Sequence, residues 1–150
     1  MSIDINLKKL ENAIKDQDIL KAFNEIQDTR KNYPHNNRVN KLIEKYKIEF
    51  QKKFLIKSKE IMRIYHNNEP QIAILKLENL LLKEPNNPLL NSIIGNLKGI
   101  QGEFSKAKIF HEKAVLFNPF EDMFYLNLSQ TLNKLNLPPL NGLNIGVIEF

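Results

Sequence analysis

The sequence predicts an all-α protein of about one domain's size. Only five Gly occur in 150 residues, and the strict alternation of polar and apolar residues that is typical of strands is nearly absent. Leu, Ile, Lys, Glu and Asn are abundant, and apolar residues recur at helical spacing in one segment after another. Hydrophobic residues make up 42% of the chain and charged residues 26%, as in ordinary globular domains.

The clearest pattern is a helical hairpin over residues 88–119. Asn residues and a Pro at its start predict a capped first helix, because Asn accepts hydrogen bonds from backbone N–H groups and Pro suits a first turn. Gly102 predicts a left-handed end for that helix, and Pro119 ends the second helix. Small residues would let the two helix backbones approach closely; they are Gly95, Ala107 and Ala114.

This spacing resembles the tetratricopeptide repeat, a helix–turn–helix unit of about 34 residues. The chain departs from the family pattern at Asn91, where a large apolar residue is usual, and at Lys98, where Tyr is usual. The positions that match the family are Ile94-Gly95 in the first helix, Gly102 in the turn, Ala107 and Ala114 in the second helix, and the closing Pro119.

Stepping by the repeat length from residues 88–119 finds similar segments on both sides. The resemblance therefore implies a tetratricopeptide-like right-handed α-solenoid of helix–turn–helix repeats over residues 1–137. Its expected units are 3–36, an enlarged 37–87, 88–121, and a capping helix at 122–137. Residues 138–150 form a C-terminal tail with a turn signal and apolar residues, for which disorder, pairing as a strand and truncation of a longer protein all stay open.

The enlarged unit predicts one over-long helix. Residues 38–66 contain neither Gly nor Pro, and a single helix over them would be about 43 Å long. The alternative is two helices with a break near residues 52–57, where Lys53 and Lys57 interrupt the apolar stripe. We favour the single helix from the sequence alone.

The net charge of +5 predicts a basic ridge on that helix. Residues 1–60 carry the whole excess of Lys and Arg, whereas residues 61–150 are balanced. A solvated helix face is the favoured interpretation, and a surface for nucleic acid or an anionic surface is the alternative. No aromatic residue interleaves the ridge, which weakens the case for nucleic acid. The ridge consists of Arg38, Lys41, Lys45, Lys52 and Lys59.

Candidate residues for catalysis or metal binding are sparse. The chain has no Cys, which excludes disulfides, Cys-type zinc sites and Cys nucleophiles. The three His residues have no metal-binding spacing, so we expect structural or exposed roles for His35, His66 and His111. No phosphate-binding loop or catalytic triad is present. The sequence thus predicts no enzyme, no catalytic residue, no metal site and no cofactor.

The resemblance implies a groove as the working surface. In tetratricopeptide proteins the first helices of the repeats line a concave surface that holds a partner peptide. Few of the matching positions are charged, so apolar anchoring with hydrogen bonds around it is expected rather than a carboxylate clamp. Filling of the groove by neighbouring helices or by the tail is the alternative. The matching positions are Ser58, Met62, Tyr65, Ser92, Asn96, Gln130 and Asn133.

The expected function is a non-catalytic protein–protein interaction scaffold that binds a partner protein or peptide. A rival expectation is the N-terminal region of a larger enzyme of the sulfotransferase-, glycosyltransferase- or oxygenase-like kind, since similar repeats often precede such domains. The N-terminal stretch has no long apolar run, so neither a signal peptide nor a membrane span is indicated and a cytoplasmic location is expected. The partner's identity and the oligomeric state stay open.

Overall fold

The structure, a computed structural model, describes residues 3–138, and these residues form eight α-helices and no strand. The prediction of an all-α protein is therefore confirmed for this part of the chain. The C-terminal tail predicted at 138–150 lies outside the described residues, apart from Pro138. The helices are α1 (Ile3–Lys15), α2 (Ile19–Asn32), α3 (Asn37–Lys52), α4 (Ser58–Asn67), α5 (Pro70–Lys83), α6 (Pro88–Ile100), α7 (Phe104–Phe117) and α8 (Asp122–Lys134).

Several helix ends follow from local side-chain chemistry. Asn36 and Asn87 precede α3 and α6, and each side chain accepts a hydrogen bond from backbone N–H in the first turn, at 2.9 and 3.1 Å respectively. Pro70 and Pro88 occupy the first turns of α5 and α6, where the missing N–H costs nothing. Gly102 follows α6 with a φ of 79°, a conformation that glycine adopts without strain. These ends are readable from the sequence because their partners are close in the chain.

The prediction of a single over-long helix over residues 38–66 is wrong. The structure has two helices there, α3 and α4, separated by residues 53–57, which we call the linker. This is the alternative division that Lys53 and Lys57 suggested. As a consequence, the enlarged unit contains three helices rather than two, and the basic residue Lys59 lies on a different helix from the rest of the ridge.

A carboxylate from a distant turn explains the break. The backbone N–H groups of Leu55 and Ile56 each donate to a different oxygen of Glu84, both at 2.7 Å. In a continuous helix the same N–H groups would bond to carbonyl groups four residues earlier. The amide of Asn87 adds a hydrogen bond to the Ile56 carbonyl at 3.4 Å. The turn before α6 therefore stabilises the linker in a non-helical conformation.

Within residues 3–138 the core consists of three apolar clusters. The first joins α1, α2 and α3, with Leu10, Ile26 and Phe50 among its buried residues. The second joins α4, α5 and α6 and includes Leu77 and Ile94. The third joins α7 and α8. Each amphipathic helix thus buries its apolar face against neighbouring helices, as the hydrophobic spacing requires.

The N-terminal helices also contact the C-terminal ones. Phe23 of α2 is fully buried in the third cluster, and its ring centroid lies 5.0 Å from that of Tyr125 in α8. Arg30 pairs with Asp122 at 2.6 Å. Phe120, from the turn before α8, is buried in the first cluster beside Phe50. These contacts join helices that are far apart in the chain. The fold is therefore not a stack in which each helix pair contacts only its neighbours in sequence.

Two residues that depart from the repeat pattern have clear structural partners. Asn91 is buried in α6, and its amide donates to the carbonyl groups of Pro85 and Asn87, at 3.0 and 2.8 Å. It therefore fixes the turn between α5 and α6 where an apolar residue would only fill space. Lys98 lies 3.6 Å from Glu78 and 3.7 Å from Glu103, and so links α6 to α5 and to the start of α7.

Candidate functional site

The predicted groove residues lie on three neighbouring helices. Helix α6 contacts both α4 and α8, so these helices can form one continuous surface. On α4, Ser58 is exposed, and Met62 and Tyr65 are half-buried because they pack against the second cluster. Asn96 of α6 is half-buried, whereas Gln130 and Asn133 of α8 are exposed.

Ser92 does not lie on an accessible surface. Its side chain is in the middle of α6 and the residue is only 2% exposed. Its hydroxyl oxygen accepts a hydrogen bond from the Asn127 amide of α8 at 3.1 Å. The close contact between α6 and α8 therefore covers this part of the expected groove, as in the alternative where neighbouring helices fill it.

The basic ridge residues are exposed but do not form one line on one helix. Arg38, at the start of α3, pairs with Asp4 of α1 at 2.9 Å. Lys45 lies over the ring of Tyr46, with its ammonium 5.4 Å from the ring centroid. Lys41 and Lys52 also lie on α3, and Lys59 begins the separate helix α4.

The break between α3 and α4 creates a cleft of about 310 Å³ that we call the linker cleft. It lies between the end of α3, the linker, the start of α4 and the turn that joins α7 to α8. Apolar side chains from α3 and the linker form part of its wall; they are Ile48, Phe54 and Ile56. Polar and charged side chains complete it; they are Lys47, Gln51, Lys52, Lys57, Ser58, Asn118 and Glu121.

The lining of the linker cleft carries three lysines and one acidic residue, Glu121. Lys47 lies 3.3 Å from Glu44 and 3.6 Å from Glu121. Burial lowers the pKa of Lys47, but the carboxylate of Glu121, together with Glu44, outweighs this effect and raises the pKa above its ordinary value. Lys47 therefore stays charged, and Lys52 and Lys57 add ammonium groups at the rim.

The walls of the linker cleft are held in place by hydrogen bonds between segments that are distant in sequence. The Asn118 amide donates to the Lys47 carbonyl at 3.2 Å, and its oxygen accepts from the backbone N–H of Phe120 at 3.3 Å. On the linker side, burial raises the pKa of Glu84, whereas the N–H groups of Ile56 and Leu55 lower it and prevail. Glu84 is therefore a carboxylate at neutral pH, which is the form that accepts both N–H groups.

A second cleft, of about 440 Å³, lies between α4 and α5. Its polar lining comes from Arg63, Lys76 and the Asn side chains near the turn at residues 67–68. Asn68 accepts a hydrogen bond from the Lys76 ammonium at 3.1 Å and donates to the Ile64 carbonyl at 2.9 Å. No pattern in the sequence indicated this cleft.

The three His residues are separated in the structure. His35 and His66 are exposed, whereas His111 of α7 is buried with its ring against Gly95 of α6. Burial lowers the pKa of His111 from 6.5 to about 4, so its imidazole is neutral at physiological pH. Within residues 3–138, no group of three or more His, Asp or Glu side chains is placed to hold a metal ion.

Comparisons with known proteins add no relative. No protein-family model, no curated protein and no solved structure matches the chain. Among the described helices, none combines the length and the apolar character needed to cross a membrane.

Proposed function

We propose that the protein is a non-catalytic interaction scaffold and that the linker cleft holds a peptide of its partner. The observation that carries this proposal is the combination of an apolar wall with three lysines in one partly open cleft. Such a site suits an extended peptide that inserts an apolar side chain and places acidic side chains beside the lysines. The cytoplasmic location expected from the sequence belongs to the same proposal.

A tetratricopeptide-like arrangement is the architecture we propose for this scaffold. Its support comes from the successive helical hairpins α4–α5 and α6–α7, and from the burial of the small residues Gly95, Ala107 and Ala114 in the second of these hairpins. The contact of α2 with α7 would be a modification that closes the N-terminal hairpin onto the end of the stack.

The proposed site unites residues that the sequence assigned to different surfaces. Ser58 belongs to the predicted groove and Lys52 to the predicted ridge, and both line the linker cleft. The groove residues Met62 and Tyr65 follow on the same helix as Ser58. A peptide that begins in the linker cleft could therefore continue along α4 without meeting the covered Ser92.

Selection of peptides from a displayed random library of short peptides tests the proposal. We expect the wild-type protein to enrich peptides that combine Asp or Glu with a large apolar residue. Their affinity, measured by titration calorimetry, should fall at least about tenfold in Lys52→Glu/Lys57→Glu, which corresponds to about 1.4 kcal/mol. Shortening the apolar wall with Ile48→Ala should weaken the same peptides without changing the charge.

A matched charge reversal outside the cleft is the control. Lys41→Glu/Lys45→Glu changes the net charge equally but alters the ridge, and it should change the affinity less than about threefold. Circular dichroism must show the same helicity for all variants. Enrichment of basic peptides, or an equal loss of affinity in the cleft and ridge variants, would contradict the proposal.

A further inference from the structure

Helix α5 has two apolar faces, and the described chain covers only one of them. Its inward face buries Ala73, Ile74 and Leu77 in the second cluster. On the outward face Ile72 is 47% exposed, Leu75 64% and Leu82 83%. Single exposed apolar residues are ordinary, but three on one face of a helix of 14 residues form a contiguous surface.

The outward residues have the spacing of a coiled-coil seam. Ile72, Leu75, Asn79 and Leu82 follow one another at intervals of three, four and three residues, which places them at positions a, d, a and d of successive heptads. Ile at a and Leu at d favour two-stranded parallel pairing. An Asn at a single a position specifies register and two strands, because its amide pairs with the same amide of the partner helix.

The charges beside this seam match a second copy of the same helix. In this register Lys76 and Lys83 are at e positions, and Gln71 and Glu78 are at g positions. Parallel pairing brings each g residue to the e residue of the next heptad in the other helix, so Glu78 would face Lys83 of the second copy. Antiparallel pairing would instead bring Lys76 to Lys83 of the second copy, so that two ammonium groups would meet, and would leave Glu78 beside the neutral Gln71. The chain's own Lys98 lies 3.6 Å from one oxygen of Glu78, which leaves its other oxygen for the second copy.

We propose that the outward face of α5 is a homodimer interface, in which two copies pair their α5 helices in parallel through Ile72, Leu75, Asn79 and Leu82. The two-fold axis would run along the paired helices. Helix α5 is already folded against α4 and α6, so pairing does not require ordering an isolated two-heptad peptide, which would be marginal in water. Two heptads make a small interface, so we expect a reversible dimer with a Kd on the order of 10–100 µM. The interface uses no residue of the linker cleft and is independent of the proposed peptide binding.

Sedimentation equilibrium of the full chain from about 5 to about 500 µM, which brackets the expected Kd, tests the dimer. We expect concentration-dependent dimers for the wild type and at least about a tenfold higher Kd for Leu75→Glu. Ile109→Glu is the matched control, because Ile109 is 57% exposed on α7, away from the seam, and it should leave the Kd unchanged. Monomers at the highest concentration, or equal effects of the two substitutions, would overturn the proposal.

Cysteine crosslinking tests the orientation. The chain contains no cysteine, so one introduced thiol reports only its own position. Under mild oxidation, Leu75→Cys and Leu82→Cys should each form disulfide-linked dimers, whereas Ile109→Cys should not. Both seam positions can meet their own copies only in a parallel, in-register pair, so crosslinking at one of them alone would exclude the parallel arrangement.

Reversing the charge of a lysine beside the seam tests the pairing of Glu78 with Lys83 of the second copy. Lys83→Glu should weaken the dimer about fivefold, because it places two carboxylates opposite each other. Lys76→Glu also replaces a lysine at an e position, but this position faces the neutral Gln71 of the second copy. It should therefore weaken the dimer less than about twofold. Equal weakening by the two variants would show that net charge, and not the proposed pair, governs association.

Discussion

Replacement of Gly95 by Ala isolates the close contact between α6 and α7. A Cβ at position 95 would lie 2.7 Å from Cε1 of His111 and 2.9 Å from its Nδ1. Ordinary contacts of this kind are about 3.5–4.0 Å, so the imidazole would have to move by roughly 1 Å. His111 is only 2% exposed, and such a movement would push it into packed neighbours.

The expected size of the effect follows from two opposing terms. Ala is better than Gly in a helix interior by about 0.8–1 kcal/mol, which favours the substitution. Overpacking of a buried site costs about 1–3 kcal/mol, which opposes it. Gly99 lies in the same helix, and a methyl group added there would meet no atom within 4 Å, so Gly99→Ala contains only the first term. Gly95→Ala should therefore be about 1–3 kcal/mol less stable than Gly99→Ala.

Urea denaturation monitored by circular dichroism at neutral pH measures both free energies of unfolding. Both variants replace Gly by Ala in α6, so the gain in helix propensity largely cancels when their free energies of unfolding are compared. In a His111→Ala background the methyl group has room, so Gly95→Ala should become as favourable as Gly99→Ala. Free energies that agree within about 0.5 kcal/mol for the two single glycine variants would refute the reasoning, since no clash would then be present.

Three other predictions concern His111, Glu84 and Phe120. In the folded protein the pKa of His111 is about 4. Between about pH 6.5 and 4 the unfolded chain therefore binds a proton that the folded chain excludes. The free energy of unfolding should fall by about 3 kcal/mol as the pH is lowered over that interval. Urea titrations between neutral pH and about pH 5 give the free energy of unfolding at each pH. This free energy should decrease less with falling pH in His111→Gln than in the wild type, and an equal decrease would contradict the prediction. Glu84→Gln should lower the free energy of unfolding by about 1–2 kcal/mol and accelerate tryptic cleavage in the linker. Because the folded pKa of Glu84 is lowered, the stabilisation that its carboxylate provides is present at neutral pH and is lost as the pH falls through that pKa. Protection of the linker equal to that of the wild type would argue against the role of this carboxylate. Phe120→Ala should cost about 3–5 kcal/mol in thermal or urea unfolding, whereas Phe120→Leu should cost less than about 1.5 kcal/mol, and similar losses for both would argue against tight packing there.

The helix ends were predictable where their causes are local. Asn36 and Asn87 cap helices with N–H groups two or three residues away, and Gly102 supplies the positive φ that ends α6. Proline positions mark the starts of α5 and α6 in the same way. Such contacts are written into short stretches of sequence, so pattern reasoning finds them.

The break between α3 and α4 was predicted only as the less favoured alternative, because its cause is distant in the sequence. Glu84 binds the linker from 28 residues away, and no periodicity in residues 38–66 reveals that contact. The linker cleft was missed for the same reason, since it exists only because the helix ends at Lys52. The intrusion of Lys53 and Lys57 on the apolar stripe was the one local signal, and it correctly marked the place. Filling of the groove by neighbouring helices was an open alternative, but the sequence could not indicate that Ser92 is the covered position, because Asn127 belongs to another unit.

The contact of the N-terminal helices with α7 and α8 bears on how the protein unfolds. In a linear stack the terminal helices have one neighbour and fray at low free-energy cost. Here Lys47 and Arg30 bond to residues 71 and 92 positions later in the chain, and Phe23 packs on Tyr125. Helices α2 and α3 are therefore restrained by the C-terminal part of the described chain as well as by their own neighbours, and α2 should exchange its amide hydrogens nearly as slowly as α6. Such long-range closure raises cooperativity, and it should also slow folding relative to a stack with only local contacts.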